Sequence, residues 1–81
     1  MVVNRELIDR VKVLLSNILS VPSNLLKDET TMDDISSWDS LKHLEIIIGL
    51  EEEFSIQITG QEAIRLIDIE QIMIFLDNKI N

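Results

Sequence analysis

The 81-residue chain lacks cysteine, and no apolar run in it approaches the about 20 residues that span a bilayer. Without cysteine the chain has no disulfides, no thiolate metal ligands and no cysteine nucleophile. Arg5, Asp9 and Lys12 interrupt the apolar pattern near the N terminus, which is unlike the continuous apolar core of a signal peptide. We therefore expect a soluble cytoplasmic protein that does not bind a membrane.

The length limits what the chain can build. Its 81 residues suffice for one domain, which we expect to span residues 1–81. A domain of this size buries only about 60% of the surface that its unfolded chain exposes, so it has one modest core and little room for a deep catalytic pocket. Hydrophobic residues make up 46% of the sequence, which favours a globular fold over a disordered chain.

Acidic residues are concentrated in the middle of the chain. Residues 28–62 hold ten acids and one base, Lys42, for a net charge of −9, and the remaining five acids and six bases give +1. A field of this sign repels nucleic acid and anionic lipid headgroups and attracts basic protein surfaces. The segment is either a solubilising surface or one that steers basic partners, and the sequence supports both interpretations.

Hydrophobic periodicity predicts four helices and no strand of useful length. The helices are expected at residues 4–19, from 39 or 40 to 54, at about 60–66, and from just after Asp68 to the C terminus. Residues 20–39 form a long polar connection, and the apolar residues scattered through it indicate that it packs on the bundle. The expected fold is all-α, a small four-helix bundle of three longer helices and one short one, with a long loop between helices 1 and 2.

Helix ends and core faces follow from local patterns. Pro22 is expected to end the first helix shortly before it. The expected N-caps, two of them with capping-box spacing, are Asn4, Asp39, Thr59 (with Glu62) and Asp68 (with Gln71). The core stripe of the first helix is Leu7, Val11, Leu14, Leu15 and Ile18, and that of the fourth is Ile69, Ile72, Met73, Leu76 and Ile80.

The second helix carries more apolar surface than one core stripe requires. At about 100° per residue, the arc that faces the core holds His43, Ile46, Ile47, Leu50 and Phe54. A second arc holds Leu41, Leu44 and Ile48, interleaved with Glu45, Glu51 and Glu52. Either the 20–39 loop covers this second arc, or the arc is a docking face with an apolar centre and an acidic rim. A face that is covered at rest and offered to a partner in use satisfies both interpretations.

Ser40 lies where the long loop ends and the second helix begins. The first N–H groups of a helix lack internal partners and carry partial positive charge, so a phosphate attached to a side chain there is favoured. From these residues alone a capping serine is the commoner explanation, and a serine that carries a phosphodiester is the alternative.

Catalytic and metal-binding interpretations are disfavoured. A hydrolase built from Ser40, His43 and Asp39 lacks a well-placed orienting carboxylate, because Asp39 is adjacent to Ser40 in the chain. His43 falls on the core arc, where we expect a core histidine with one satisfied nitrogen. The acidic runs at residues 33–34 and 51–53 lack the spacing of a calcium loop, and adjacent carboxylates on a helix point in different directions.

Several motifs at fixed spacing resemble the acyl carrier protein family. They are Asp39-Ser40-Leu41, Glu45, Leu50-Glu51-Glu52-Glu53-Phe54, and Ile56 with Ile58. The order of helices, the acidity, and Pro22 and Asp28 near the start of the loop match as well, so the resemblance covers essentially the whole chain. It implies a non-catalytic carrier that holds acyl groups as thioesters on 4′-phosphopantetheine, a group derived from coenzyme A and attached covalently to Ser40.

The resemblance also implies partners and the residues that they contact. A phosphopantetheinyl transferase (a holo-carrier synthase) would read Asp39 when it installs the group, and Leu41 would lie beside the attached arm. Such a carrier is expected to be a monomer that does not bind nucleic acid. Acyl-loading, condensing and acyl-transfer enzymes would dock through basic patches on Leu44, Glu45, Ile48, Glu51 and Glu52.

Three residues depart from the pattern of fatty-acid carriers. Lys42 stands where many of them have an acid, and Gly49, a poor helix residue, marks either close helix packing or a flexible second helix. Trp38 replaces a small residue, so that Trp-Asp-Ser-Leu resembles carriers of polyketide and other specialised pathways more closely. Two alternatives stay open: an acidic helical interaction module without a prosthetic group, and an aminoacyl or peptidyl carrier, although the motif differs from that of peptidyl carriers.

Overall fold

A computed structural model describes residues 5–80 of the chain, which form four α-helices and no strand. The helices are α1 (Arg5–Leu19), α2 (Ser40–Phe54), α3 (Gly60–Arg65) and α4 (Ile69–Ile80). This confirms the predicted all-α bundle with one short helix and a long loop before α2. The predicted N-cap at Asn4 lies outside the described residues. Over the described part of the chain, no helix is both long enough and apolar enough to cross a bilayer.

The core lies between α1, α2 and α4. Each of these helices turns one apolar stripe inward, and Leu15, Leu50 and Leu76 are fully buried. Burying one such side chain stabilises the fold by about 1.5–3 kcal/mol relative to leaving it in water. The core residues of the three helices are Leu7, Val11, Leu15, Leu19, Ile46, Ile47, Leu50, Ile69, Ile72, Met73 and Leu76.

The predicted stripe of α4 is wrong at its last position. Ile69 and Leu76 are fully buried, whereas Ile80 is 50% exposed. Helical periodicity identifies which face of α4 points inward, but it does not say how far along the helix the neighbouring helices extend. The final turn of α4 therefore keeps the apolar pattern without a surface to pack on.

Gly49 lets α1 and α2 approach closely. A Cβ atom added at Gly49 would lie 3.2 Å from a methyl carbon of Leu14 and 3.3 Å from one of Ile18, closer than ordinary van der Waals contact. Of the two explanations for this glycine, close helix packing is therefore the one that the structure supports. Beside this contact, Arg10 of α1 makes an ion pair with Glu53 of α2 at 2.8 Å.

The helix starts are capped as the sequence predicts. Asp39 accepts a hydrogen bond from the Lys42 N–H at 2.9 Å, and Asp68 accepts one from the Gln71 N–H at 2.7 Å. Thr59 and Glu62 form the reciprocal capping box at the start of α3. The Thr59 N–H that donates to the Glu62 carboxylate holds the pKa of Glu62 below its usual value of 4.5. These bonds satisfy N–H groups that have no partner within their helices.

The long loop packs on the bundle. It contains two 3₁₀ turns, Ser23–Leu25 and Met32–Asp34, and it buries Leu26 and Trp38 almost completely. Two backbone hydrogen bonds fasten its middle to the α3–α4 connection: the Ile69 N–H donates to the Thr30 carbonyl, and the Met32 N–H donates to the Ile67 carbonyl. The loop therefore reaches Ser40 along a fixed path.

Candidate functional site

Ser40 is the first residue of α2, and its side chain is exposed to solvent. The preceding residue, Asp39, caps the helix through its carboxylate, and its carbonyl accepts the first helical hydrogen bond, from the His43 N–H. The N–H groups of Ser40 and Leu41 come before this first bond, so they have no acceptor within the helix. The Ser40 hydroxyl therefore lies in solvent beside two free backbone donors at the positive end of the helix.

The Ser40 hydroxyl is also free of competing interactions within residues 5–80. The nearby Ser37, in contrast, donates through its hydroxyl to the Leu19 carbonyl at 2.7 Å. Over the described residues, no hydrogen bond or ion pair involves the side chain of Ser40. Modifying this hydroxyl would not break any contact that holds the fold.

A hydrogen bond between two side chains joins the residues on either side of Ser40. The indole N–H of Trp38 donates to Nδ1 of His43 at 3.1 Å, and the two rings are stacked with their centroids 6.1 Å apart. The other ring nitrogen of His43, Nε2, lies 2.8 Å from the carbonyl oxygen of Ala63 in α3. An indole can only donate and a carbonyl can only accept, so His43 is the neutral tautomer that carries its proton on Nε2. Sequence analysis predicted one satisfied nitrogen on His43; the structure gives it two.

These contacts rule out the hydrolase arrangement. The lone pair on Nδ1 of His43 is used by Trp38, so the ring has no free nitrogen with which to take a proton from Ser40. The carboxylate of Asp39 accepts a bond from the Lys42 N–H and does not orient the imidazole. Within the described residues, no group of three or more His, Asp or Glu side chains is placed to hold a metal ion.

The second apolar arc of α2, which we term the outer face, is open to solvent. Leu41 is 67% exposed, Leu44 56% and Ile48 47%. Of the two interpretations of this arc, the one in which the long loop covers it is wrong, because Leu26 and Trp38 of the loop pack into the core instead. Three large apolar side chains in contact with water on one helix have no structural explanation in the isolated chain.

Carboxylates surround the outer face, and they are not equivalent. Glu52 is exposed, whereas Glu45 pairs with the Lys42 ammonium at 3.5 Å. Glu51 is half-buried, and its carboxylate accepts a hydrogen bond from the Ile58 N–H at 2.9 Å, which fixes the chain where it leaves α2. Sequence reasoning assigned Glu51 to the rim alone. Its structural bond depends on the path of the chain after the helix, which helix periodicity does not describe.

Comparison with known proteins identifies the family. No model of a protein family matches the chain. The acyl carrier protein of Thermosynechococcus vestitus is 33% identical over 76 residues, which cover 93% of each chain. That of Campylobacter jejuni strain RM1221 is 36% identical over 70 residues, covering 86% of this chain and 91% of the relative. That of Buchnera aphidicola subsp. Schizaphis graminum is 32% identical over 71 residues, covering 86% and 89%.

The chain belongs to the acyl carrier protein family. Members of this family are non-catalytic carriers, and their prosthetic group is 4′-phosphopantetheine. They interact with a phosphopantetheinyl transferase and with biosynthetic enzymes. The residues present fit this group, because an exposed serine hydroxyl without a partner in the described chain stands at a helix N terminus beside two free N–H donors.

Proposed function

We propose that Ser40 is the residue that carries 4′-phosphopantetheine, bound to its hydroxyl oxygen as a phosphodiester derived from coenzyme A. The observation that carries the proposal is the exposed Ser40 hydroxyl on the first turn of α2. The N–H groups of Ser40 and Leu41 and the positive end of the helix favour a negatively charged phosphodiester at this point. When bound, the group supplies a thiol whose thioester activates an acyl chain for transfer and for loss of its α-proton.

In this proposal the protein itself presents the attached acyl group to the enzymes that act on it. The segment before Ser40 is tied down by the Ser37 hydroxyl bond to the Leu19 carbonyl, and the segment after it by the first turns of α2. A rigid base with a flexible arm lets one carrier bring the same acyl group to several active sites in turn. In this proposal Leu41, which is 67% exposed, lies beside the attached arm, and Asp39 belongs to the motif that the transferase reads.

The outer face of α2 is the surface proposed to meet partner enzymes. Leu44 and Ile48 form its apolar centre, and Glu45, Glu51 and Glu52 form its rim. Acidic rims favour partners with basic patches, through complementary potentials that guide encounter and orientation. We assign this surface to the transferase and to acyl-loading, condensing and acyl-transfer enzymes.

The pathway proposed is a specialised one, of polyketide type, and Trp38 is the reason. It is buried in the core, with only 3% of its surface exposed, and its indole N–H bonds to His43. A small residue at position 38 could make neither contact, so the tryptophan defines a distinct form of the loop that leads to Ser40. We further propose that the carrier works as a cytoplasmic monomer and that residues 1–81 form a single carrier domain.

Intact-protein mass spectrometry tests the attachment site. The purified protein is incubated with coenzyme A and a phosphopantetheinyl transferase of broad specificity, and fragmentation then locates the added mass. We expect one phosphopantetheine adduct at Ser40 in the native chain and none in Ser40→Ala. Ser36→Ala is the matched control, because Ser36 is another exposed serine, four residues earlier in the loop, and its loss should leave the adduct unchanged.

Two outcomes would contradict the proposal. An adduct that persists in Ser40→Ala would place the group on another residue. A native chain that stays unmodified while its circular dichroism shows an intact helical fold would favour the interaction module without a prosthetic group. Loading of the modified chain with an amino acid instead of an acyl group would assign it to the aminoacyl carriers.

A further inference from the structure

The chain has one tryptophan and one histidine, and they contact each other across Ser40. Trp38 precedes Ser40 by two residues and His43 follows it by three. Their hydrogen bond joins residues 38 and 43 and so closes a ring that contains Ser40. Within it, the bond from the Lys42 N–H to the Asp39 carboxylate joins residues 39 and 42 and closes a smaller ring around the same serine. The backbone of Ser40 is therefore held from both sides by two nested links.

His43 also connects this ring to α3. Its Nε2–H donates to the Ala63 carbonyl, which accepts the Leu66 N–H as well at the end of the helix. At six residues, α3 is too short to be stable alone, so it depends on such attachments. One imidazole thus links Trp38, two residues before Ser40, to α3.

We propose that the Trp38–His43 pair positions Ser40 for modification and for partner enzymes, and that protonation of His43 releases it. The inference rests on the proposed function of Ser40. When Nδ1 takes a proton it becomes a donor, and it then faces the indole N–H, which is also a donor and has lost its acceptor in a buried position. The bond from Nε2–H to Ala63 survives, because this nitrogen carries its proton in both states. Protonation therefore removes the link between Trp38 and α2, while the Ser37 bond to Leu19, the Asp39 cap and the attachment of α3 remain.

The charged groups around the pair are already engaged. On α2, Asp39 caps the helix and Lys42 pairs with Glu45. On α3, Glu62 accepts the Thr59 N–H and pairs with Lys79 of α4 at 3.7 Å. Since both nitrogens of His43 are bound to Trp38 and Ala63, the protonation of the imidazole directly determines whether the Trp38 bond exists.

Nuclear magnetic resonance of the native protein provides the first test and needs no variant. The single indole N–H signal and the single imidazole can be followed without ambiguity from about pH 8 to pH 5, the range in which a histidine changes charge. We expect the Trp38 indole proton to shift with the same midpoint as the His43 ring. An indole signal that stays constant while the ring titrates would overturn the release.

The second test measures the modification of Ser40 over the same pH range. His43→Asn is the matched variant, because its side-chain oxygen offers Trp38 an acceptor near the position of Nδ1 and cannot be protonated. The ratio of native to His43→Asn modification rates removes the transferase's own pH dependence. We expect this ratio to fall about five-fold from high to low pH, the factor that corresponds to losing one net hydrogen bond.

Trp38→Phe completes the series, since it removes the donor and keeps an aromatic ring. We expect its modification rate, relative to His43→Asn, to be low and independent of the charge on His43. A Trp38→Phe rate equal to that of His43→Asn would refute the positioning role, and a ratio of native to His43→Asn rates that does not change with pH would refute the release. Failure of the proposed function itself would look different: the native chain would gain no adduct at any pH, while the indole signal would still follow the ring.

Discussion

Asp39 connects local helix chemistry to the position of Ser40. Its carboxylate accepts the Lys42 N–H and its carbonyl accepts the His43 N–H, so one residue fixes the geometry of the first turn of α2. Its φ and ψ are extended, which is the backbone conformation of an N-cap. The orientation of Ser40 at the start of α2 therefore depends on the side chain of the residue immediately before it.

Replacing Asp39 tests this dependence. Asp39→Ala should lower the free energy of unfolding by about 1 kcal/mol, because the Lys42 N–H loses its acceptor. Asp39→Asn retains a capping oxygen and should cost less than half as much. Urea unfolding followed by circular dichroism measures both. Equal losses in the two variants would mean that the charge, and not the capping bond, provides the stability.

Local sequence patterns predicted the helix caps correctly, but they predicted only one of the two hydrogen bonds of His43. The bonds at Asp39, Thr59 and Asp68 join groups three residues apart, so the sequence alone contains the information. The partner of His43 on α3 is Ala63, twenty residues away, and depends on how α3 packs. The sequence does contain one signal for the Trp38–His43 bond: a tryptophan, whose indole can only donate, stands just before a helix that has a histidine on its first turn.

At the scale of the helix, α2 is a two-sided element. One side is buried in the shared core through Ile46 and Leu50, and the other presents Leu44 and Ile48 to water. Gly49 lies between these sides and meets Leu14 and Ile18 of α1. The close approach of α1 makes α2 a rigid support for the outer face.

Substitution of Gly49 tests the close approach. Gly49→Ala should change the free energy of unfolding by less than about 1 kcal/mol, because the gain in helix propensity offsets the tight contact with two movable methyl groups. Gly49→Leu should destabilise the fold by about 2 kcal/mol through overpacking. Gly60→Leu is the control, since no atom lies within 4 Å of a Cβ added at Gly60.

Thermal or urea unfolding of the three glycine variants provides the comparison. If Gly49→Leu is as stable as Gly60→Leu, α1 and α2 are not held at the described distance. In that case Gly49 would mark a flexible second helix, which was the other explanation for a glycine at this position.

The bounds of α2, α3 and α4 were predictable within a residue, because capping signals and periodicity agree at their starts. The exposure of the outer face was not predictable. Periodicity separates two faces of a helix, but it does not tell which of them the loop covers. That outcome depends on Trp38, which packs into the core on the other side of α2.

For the molecule as a whole, negative charge is concentrated in the part of the chain that contains Ser40. Residues 28–62, which hold Ser40 and the outer face, carry a net charge of −9, and the rest of the chain carries +1. Partners with basic surfaces are attracted to that region from a distance, at a rate that falls as salt screens the field.

Charge-reversal substitutions test whether partner binding depends on the acidic rim of the outer face or only on the net charge of the protein. Glu52→Lys on the outer face and Glu70→Lys on α4 change the net charge equally, and both side chains are exposed. With the transferase as the probe, Glu52→Lys should lower kcat/KM about five-fold at low ionic strength, and the effect should shrink as salt is added. Glu70→Lys should have little effect.

Steady-state modification rates at several salt concentrations measure this difference. Equal effects of the two substitutions would show that only the total charge matters and that the outer face has no special role. Circular dichroism of both variants confirms that the helices are intact before the rates are compared.

The hydrogen bonds that join Thr30 and Met32 to residues 67–69 have a consequence for the order of events during synthesis. The loop before Ser40 acquires its final path only when the chain has been made as far as Ile69 and the start of α4 has docked. A nascent chain that ends at α2 already contains Ser40 but not the contacts that shape its approach. The ribosome must therefore release the chain as far as the start of the C-terminal helix before a transferase meets the finished site.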